Sequence, residues 1–319
     1  MPIKKIAYGM DEKGLSEVIG FILLLGVLVT AMALWMMYVV PANGREDEIS
    51  QMNAVKDRFT DYKISLDSLW VNQRDDVTLS TSFNLGTGGG NTLASGLFLP
   101  LLKPIGSAGV LTIADNGDTI TLSSAGGSTN MNMTRKMNIL QYQSQNHYWL
   151  QQRYYYQDGG VFLSQDTGST ARVSPPLSIV NNSATTVSAF SVAVTVTPIT
   201  LDGGASIGGN GPVRVDSRLK TLSPQLGPEK KYWVNISVNV QDYNAAQMWN
   251  ATLNDAVANG GITNKTWYRS GTSLPGIQPA TAYMYVIGPY DDNTHPDVWL
   301  TIQPAEYAVT FNNIASGLT

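Results

Sequence analysis

The pattern of apolar and polar positions divides the chain into three parts, and the first is an uninterrupted apolar run. From Val18 to Val40 there are 23 consecutive residues without a charge, and nearly all of them are apolar. Because an α-helix rises about 1.5 Å per residue, a helix of this length crosses the roughly 30 Å hydrocarbon core of a bilayer. The run therefore predicts a transmembrane helix, which we place at residues 15–40.

The second part, residues 41–70, has an amphipathic pattern of helical period. Its apolar residues recur at spacings of three and four with charged residues between them; they are Met52, Val55, Phe59, Tyr62, Leu66 and Leu69. We predict a stalk helix whose apolar stripe docks on a β-sheet of the domain that follows. Pro41 and Gly44 are expected to kink or interrupt the helix where it leaves the membrane.

The third part, residues 71–319, alternates apolar and polar residues in short runs separated by turn signals, which is typical of an antiparallel β-fold. Two β-hairpins are predicted, one at 110–122 around Asn116-Gly117 and one at 153–165 around Asp158-Gly159-Gly160. Further strands are predicted at residues 77–85, 186–199, 231–240, 282–288, 298–302 and 307–311.

One helix and one glycine-rich segment interrupt the predicted strands. Residues 242–258 have helical character, and their apolar face consists of Met248, Trp249, Leu253 and Val257. Segment 200–212 is either a boundary between two β-lobes or one long surface loop of a single elongated unit, which we favour. The whole pattern predicts an α+β fold, with a long N-terminal hydrophobic and amphipathic helix followed by a mainly antiparallel, β-sandwich-like domain.

Composition narrows the classes of function. Charged residues make up 14% of the chain, below the roughly 25% of ordinary soluble domains. The net charge is −4, and no cluster of Lys or Arg follows residue 13, which argues against a nucleic-acid partner. The chain has no cysteine, so disulfides, thiolate catalysis and zinc–thiolate sites are excluded.

Charges on either side of the apolar run predict its orientation. Lys4, Lys5 and Lys13 precede the run, whereas an acidic segment, Glu46–Glu48, follows it. Positive residues favour the cytoplasmic side, so we expect a single-pass protein with its ectodomain outside the cell. A cleaved secretory leader does not fit, because its apolar region is usually about 7–15 residues long and ends in small residues.

The residues before the apolar run carry a resemblance to a known family. Lys13 and Gly14 directly precede the apolar segment, and "GLSEVIGFILLLG" resembles the class III signal peptides of archaeal type IV pilin-like proteins. The resemblance implies that a prepilin peptidase cuts between Gly14 and Leu15. Residues 1–14 would then be a cytoplasmic leader, and the helix would remain on the mature protein as part of a filament core, packed against other copies or related pilin-like subunits.

Four further residues bear on the role of this helix. Gly20 and Gly26 permit close approach of another helix, although their spacing is not that of a GxxxG motif. Glu17 is at the third mature position, whereas bacterial pilins carry a glutamate at the fifth. Ser16 and Glu17 are therefore interpreted either as a helix cap with a charge that complements the helix dipole, which we favour, or as a subunit contact.

No motif in the sequence indicates catalysis or a cofactor. The two histidines, His147 and His295, lack a catalytic context, and His147 is predicted to be half-buried and structural. Asp291-Asp292-Asn293 and Asp115–Asp118 could offer oxygen ligands to calcium, but neither has EF-hand spacing, and a hairpin turn explains the second. We therefore expect no enzyme activity and assign no catalytic, cofactor or metal residue.

Five Asn-x-Ser/Thr sequons offer sites for N-glycosylation of an exported domain. They lie at Asn132, Asn181, Asn235, Asn250 and Asn264. The chain is so rich in Asn, Ser and Thr that chance alone yields about this many, so the sequons do not indicate selection for glycosylation.

The sequence thus predicts a structural cell-surface protein, a pilin-like subunit that assembles into a type IV pilus-like filament for adhesion or surface contact. The alternative is a membrane-anchored ectodomain that does not polymerise and acts as a binding or envelope protein. Processing at Gly14 separates the two hypotheses.

Overall fold

In a computed structural model, one long N-terminal helix leads into a domain built mainly of strands. The structure describes residues 12–88, 103–127, 130–183, 190–288 and 295–313. Helix α1 covers Glu12–Leu34, a π-helical segment covers Trp35–Val39, α2 covers Val40–Val71, and α3 covers Tyr243–Asn259.

Nineteen strands are found in the described residues. Their bounds are β1 Thr78–Asn84, β2 Ala108–Ala114, β3 Thr119–Ala125, β4 Met131–Lys136, β5 Ile139–Gln145, β6 Arg153–Gln157, β7 Gly160–Gln165, β8 Gly168–Val173, β9 Leu177–Asn181, β10 Ser191–Val196, β11 Ile199–Asp202, β12 Ala205–Gly209, β13 Pro212–Leu222, β14 Leu226–Lys231, β15 Trp233–Val240, β16 Tyr268–Thr272, β17 Ala280–Ile287, β18 Asp297–Ile302 and β19 Ala305–Asn313.

The strands form four sheets that are arranged as a propeller-like ring. Sheet I has the order β1-β13-β19-β11, sheet II β12-β2-β5-β6-β7-β8, sheet III β16-β17-β15-β3-β4, and sheet IV β14-β18-β10-β9. The α+β class and the mainly antiparallel pairing are confirmed. The predicted sandwich is wrong, because local alternation identifies strands but not the sheet that each strand joins.

Proline residues mark where two neighbouring chain segments cross from sheet IV to sheet I. β10 and β18 pair in parallel up to Val196 and Ile302, and parallel pairing resumes between Ile199 of β11 and Ala305 of β19. Pro198 and Pro304 lie between these pairs and lack the N–H that a regular ladder requires. Both segments therefore bend together and connect two sheets.

The two predicted hairpins have different outcomes. The hairpin at 153–165 is confirmed, with β6 paired to β7 across a two-residue turn in which Asp158 and Gly159 both have positive φ. The hairpin at 110–122 is wrong, because β2 pairs with β5 and β12 in sheet II, whereas β3 pairs with β4 and β15 in sheet III. The Asn116-Gly117 turn redirects the chain between sheets instead of closing a hairpin.

Two other predicted segments are resolved by the sheet topology. The glycine-rich segment 200–212 is not a loop, because β11, β12 and the start of β13 occupy it and join two different sheets. The helix predicted at 242–258 is confirmed as α3. Asp242 caps it by accepting a hydrogen bond from the backbone N–H of Asn244 at 3.0 Å, and its predicted apolar face is buried.

The domain contains two apolar cores. One surrounds α3 and is lined by sheets III and IV and by one face of sheet II, and the other surrounds α2 and is lined by sheet I and by the opposite face of sheet II. Neighbouring residues of β6 serve both cores, since Tyr155 enters the α3 core while Tyr154 and Tyr156 enter the α2 core. Sheet II is therefore buried on both faces where β6 lies.

Helix α2 confirms the predicted apolar stripe. All six residues of the stripe are buried, and α2 packs on β1 and β13 of sheet I and on β6 and β7 of sheet II. Pro41 and Gly44 do not interrupt the helix, which is continuous from Glu17 to Val71. The hydrogen bonding changes to a π-helical pattern just before Pro41, which accommodates the missing proline N–H.

Candidate functional site: the apolar helix and its junction with the domain

The N-terminal helix presents apolar side chains that the domain does not cover. From Glu17 to Tyr38 every side chain except Met32 is exposed. Among the residues that the structure describes, this is one helix long and apolar enough to cross a membrane. An apolar surface of this size is unfavourable in water, so it requires lipid or other protein around it.

Two glycines leave open space on this helix. A Cβ atom built at Gly20 or Gly26 meets no atom within 4 Å outside the local helix backbone. The carbonyl of Gly26 accepts a hydrogen bond from the Thr30 hydroxyl at 2.8 Å. Nothing in the described chain therefore requires glycine at either position, and the flat backbone is free to meet another helix.

The residues of the predicted processing site lie at the start of α1. The helix begins at Glu12, so Lys13, Gly14, Leu15 and Ser16 have helical backbone in the uncleaved chain. Ser16 is inside this helix and not at its N-cap, so the cap interpretation applies only to a chain cut after Gly14. Lys4 and Lys5 lie outside the described residues.

The domain contacts the first turns of α2 through the loop between β5 and β6. This loop consists of residues 146–152, and we call it the junction loop. The buried carboxylate of Glu48 accepts hydrogen bonds from the backbone N–H groups of His147 at 2.6 Å and Tyr148 at 2.9 Å. Hydrogen bonds to a charged acceptor are stronger than neutral ones. The Arg45 guanidinium lies 4.3 Å from the centre of the Trp149 ring, in cation–π geometry.

Gly44 has a packing role in this junction. The ring of Tyr148 lies so close to the helix that a Cβ atom at position 44 would overlap it. The Tyr148 hydroxyl accepts a hydrogen bond from the Ile105 backbone N–H at 3.1 Å, which joins a second segment to the junction. Gly44, which the sequence predicts to kink or interrupt the helix, lies within a continuous helix and leaves room for an aromatic ring.

Farther along α2, polar groups fix the helix within its core. The Tyr62 and Ser217 hydroxyls are hydrogen-bonded at 2.9 Å, and the Tyr307 hydroxyl donates to the Leu66 carbonyl at 2.8 Å. Burial raises the pKa of Tyr62, so its hydroxyl stays protonated and able to donate. The helix is therefore held by directional bonds as well as by its apolar stripe.

Two sets of buried polar groups lie around the end of β6. The Trp249 indole N–H donates to the Gln157 Oε1 at 3.2 Å, and the Gln157 amide donates to Asp118 Oδ2 at 2.7 Å. Asp158 is also buried and accepts a hydrogen bond from the Ile199 backbone N–H at 2.7 Å. Burial raises the pKa of Asp158 to about 8. Because each of these groups is hydrogen-bonded to another part of the fold, we assign them a role in stabilising the domain and not in catalysis.

The residues considered for metal binding or catalysis are dispersed. The side chain of His147 is exposed, so its predicted half-buried state is wrong; its backbone N–H binds Glu48, and its ring lies at the surface with its centre 6.4 Å from that of Tyr148. His295 is half-buried. Asp115 pairs with Lys136 at 2.6 Å. Within the part of the chain that the structure describes, no group of three or more candidate metal ligands is present. Asp291-Asp292-Asn293 lies outside that part.

A polar cleft of about 690 Å³ lies where the bends between the sheets meet. Asp115, Lys136, Asp202 and Glu306 are among its lining residues. Lys136 pairs with Asp115, and Lys220 pairs with both Asp202 at 2.6 Å and Glu306 at 2.7 Å, while the exposed Arg135 is a further lining residue. These pairs leave the cleft without a concentrated charge to attract an ionic ligand.

The five sequon asparagines lie at the surface of the domain to different degrees. Asn132, Asn181 and Asn264 are exposed, whereas Asn235 and Asn250 are half-buried. The Asn235 side-chain amide donates a hydrogen bond to the hydroxyl of Ser237 at 3.1 Å, and Ser237 is the serine of the same sequon. Glycosylation of the five sites stays a prediction, with the three exposed positions the more accessible.

Comparison of the chain with protein-family models, with curated proteins and with solved structures gives no match. The residues of the apolar helix and its junction are therefore the basis on which function is inferred.

Proposed function

We propose that this chain is a structural cell-surface protein, an archaeal type IV pilin-like subunit that is inserted in the membrane by α1. The main support for this proposal is the continuous helix from Glu17 to Val71. Its first half is apolar and exposed, and its second half is docked in a β-rich domain. Such a helix serves two purposes, because it anchors the monomer in lipid and offers a surface to other copies in a filament. The filament would act in adhesion or surface contact.

The charge distribution supports an extracellular domain. The lysines before the span favour the cytoplasm, whereas the exposed Glu46 and Asp47 follow it on the other side. Glu48 contributes less to this argument than the sequence implied, because its carboxylate is buried in the junction. The ectodomain is proposed to face outward, with prepilin peptidase acting on the cytoplasmic side between Gly14 and Leu15.

The two open glycines allow the filament role to be tested separately from anchoring. Replacing Gly20 or Gly26 with Leu keeps the span apolar, and a Cβ atom at either position meets no atom of the described chain within 4 Å outside the local helix backbone. Membrane insertion should therefore persist. A close helix–helix contact in the filament should fail, because packed interfaces do not absorb the added volume.

The measurement is the amount of this protein in filaments sheared from cells, examined by electron microscopy and compared with the amount in membranes. Val29→Leu is the matched control, since it adds little volume at an exposed position of the same helix. We expect normal filaments with the control and few or none with the glycine variants. If no filament contains the parent protein, the chain is instead a membrane-anchored ectodomain.

A further inference from the structure

Exposed apolar side chains surround the junction between α2 and the domain. Ile105 is 67% exposed and Leu150 is 57% exposed. Leu150 belongs to the junction loop, and the backbone of Ile105 is bonded to Tyr148 of the same loop. The half-buried Trp149, against which Arg45 lies, belongs to the same assembly. We call Ile105, Trp149 and Leu150 the junction patch.

The height of this patch along the helix is set by the contacts with α2. Val40 is the last residue of the apolar run and is only 9% exposed, whereas the apolar residues before Tyr38 are largely uncovered. The domain thus reaches down to the end of the membrane-spanning segment. Gly44, which contacts Tyr148, is about 6 Å farther along the axis at 1.5 Å per residue.

That distance matches the interfacial layer of a bilayer. A bilayer is about 40–45 Å thick with its headgroups and about 30 Å without them, which leaves several ångströms of interface on each side. Tryptophan is enriched in this layer, and arginine places its apolar stem there while its charge remains hydrated. The paired Trp149 and Arg45 have the chemistry that this layer favours.

We propose that the junction patch binds the outer surface of the membrane, with Ile105 and Leu150 inserted at the boundary between headgroups and acyl chains. This inference depends on the proposed insertion of α1. The exposed Lys103 and Arg45 flank the patch and suit contact with lipid phosphates. A helix alone permits the domain to rotate and tilt, and the added contact fixes the orientation of the domain on the membrane before any assembly.

The absence of cysteine from the chain permits a direct measurement. Single cysteines are introduced as Leu150→Cys, Ile105→Cys, Leu28→Cys and Leu274→Cys in the full-length protein, and each is labelled with a nitroxide. Leu28 lies within the span, and Leu274 is 72% exposed in the loop between β16 and β17 of sheet III. All four side chains are exposed, so the label should not disturb the fold, which circular dichroism verifies.

The protein is reconstituted in vesicles of phosphatidylcholine and phosphatidylglycerol, and collisions of the label with oxygen and with a water-soluble nickel chelate are measured by electron paramagnetic resonance. We expect the ratio of oxygen to nickel collisions at residues 150 and 105 to be several-fold higher than at residue 274, and below that at residue 28.

The outcomes distinguish this inference from the proposed anchoring. A lipid-like ratio at residue 28 with water-like ratios at residues 150 and 105 would overturn the membrane contact and leave the anchoring intact. Loss of access to both reagents at residues 150 and 105 would mean that protein covers the patch, which also overturns it. A water-like ratio at residue 28 would overturn both proposals.

Discussion

At the scale of the residue, burial changes the acidity of Asp158 and makes the stability of the protein depend on pH. Its carboxyl is buried in the β6–β7 turn, where it accepts a hydrogen bond from the Ile199 backbone N–H. Burial raises its pKa from 3.8 to about 8, because the charged form is poorly solvated there. The unfolded chain releases this proton at much lower pH than the folded protein, so Asp158 lowers the free energy of unfolding as the pH rises from about 4 to about 8.

Replacing Asp158 with Asn should remove this pH dependence. The amide oxygen can still accept the Ile199 hydrogen bond, and asparagine tolerates the positive φ of 47° at this position. Relative to the parent, the free energy of unfolding of Asp158→Asn should rise by up to about 1.4 kcal/mol per pH unit across that interval. Denaturant unfolding of both full-length proteins in detergent at pH 5 and pH 8 measures it. Parallel pH profiles would contradict a buried, protonated carboxyl.

Gly44 provides a second test at the residue scale. Glycine to alanine in a helix usually stabilises by about 1 kcal/mol. Here the added Cβ overlaps the Tyr148 ring, so Gly44→Ala should destabilise the junction and lower the Tm. Combining it with Tyr148→Ser, which removes the ring, should cost much less than the sum of the two single changes. Additive effects of the two substitutions would show that the ring and the glycine do not interact.

At the scale of the element, α2 connects the exposed apolar helix α1 to the domain through its apolar stripe. Phe59 is fully buried, with its ring centre 5.1 Å from that of Phe83 in β1 and 6.4 Å from that of Tyr154 in β6. One side chain thus contacts sheets I and II. A cavity there would weaken both contacts at once, because neighbouring side chains relax only partly around a deletion.

Phe59→Ala should therefore lower the free energy of unfolding by about 3–5 kcal/mol. Ile64→Ala is the matched control, since Ile64 is on the same helix but 61% exposed, and it should change stability by no more than about 0.5 kcal/mol. Thermal unfolding followed by circular dichroism measures both. Equal, small effects would mean that α2 is not docked as the structure shows.

The elements themselves follow from local sequence patterns, whereas their partners do not. The span, the stripe of α2, helix α3 and the Asp158-Gly159 hairpin are predictable because each depends on spacing or turn chemistry within a short stretch. The Asn116-Gly117 turn gives the same local signal as a hairpin, but the neighbours of β2 and β3 lie in two different sheets. The partners of a strand are settled by distant residues, which local alternation does not encode.

The candidate site divides in the same way. The apolar helix is visible in the sequence because its long uncharged run is a local pattern, and a run of that length is what crossing a bilayer requires. The junction is not, because Glu48 and Tyr148 are 100 residues apart and neither has a local signature. The acidic run at 46–48 even conceals the difference between Glu48, which is buried, and its exposed neighbours Glu46 and Asp47.

At the scale of the whole molecule, the structure combines a rigidly docked domain with an exposed apolar helix. The domain buries the apolar stripe of α2 in its own core. Within the described residues, α1 is the part of the continuous helix whose apolar surface is not covered by the domain. Under the proposed function, α1 would move from lipid into a bundle of identical helices while the domain keeps its fold. The proposed release from the cytoplasmic leader is the step that would permit this change.

The mass of the N-terminal peptide of protein isolated from native membranes tests this account most directly. Trypsin cuts after Lys13, so a tryptic peptide that begins at Leu15 requires that the chain was already cut between Gly14 and Leu15 in the cell. We predict that the mature protein begins at Leu15 and that replacing Gly14 with a bulky residue abolishes this peptide. A mature protein that begins at Met1 or Pro2 would contradict the pilin-like account and leave a helix that only anchors.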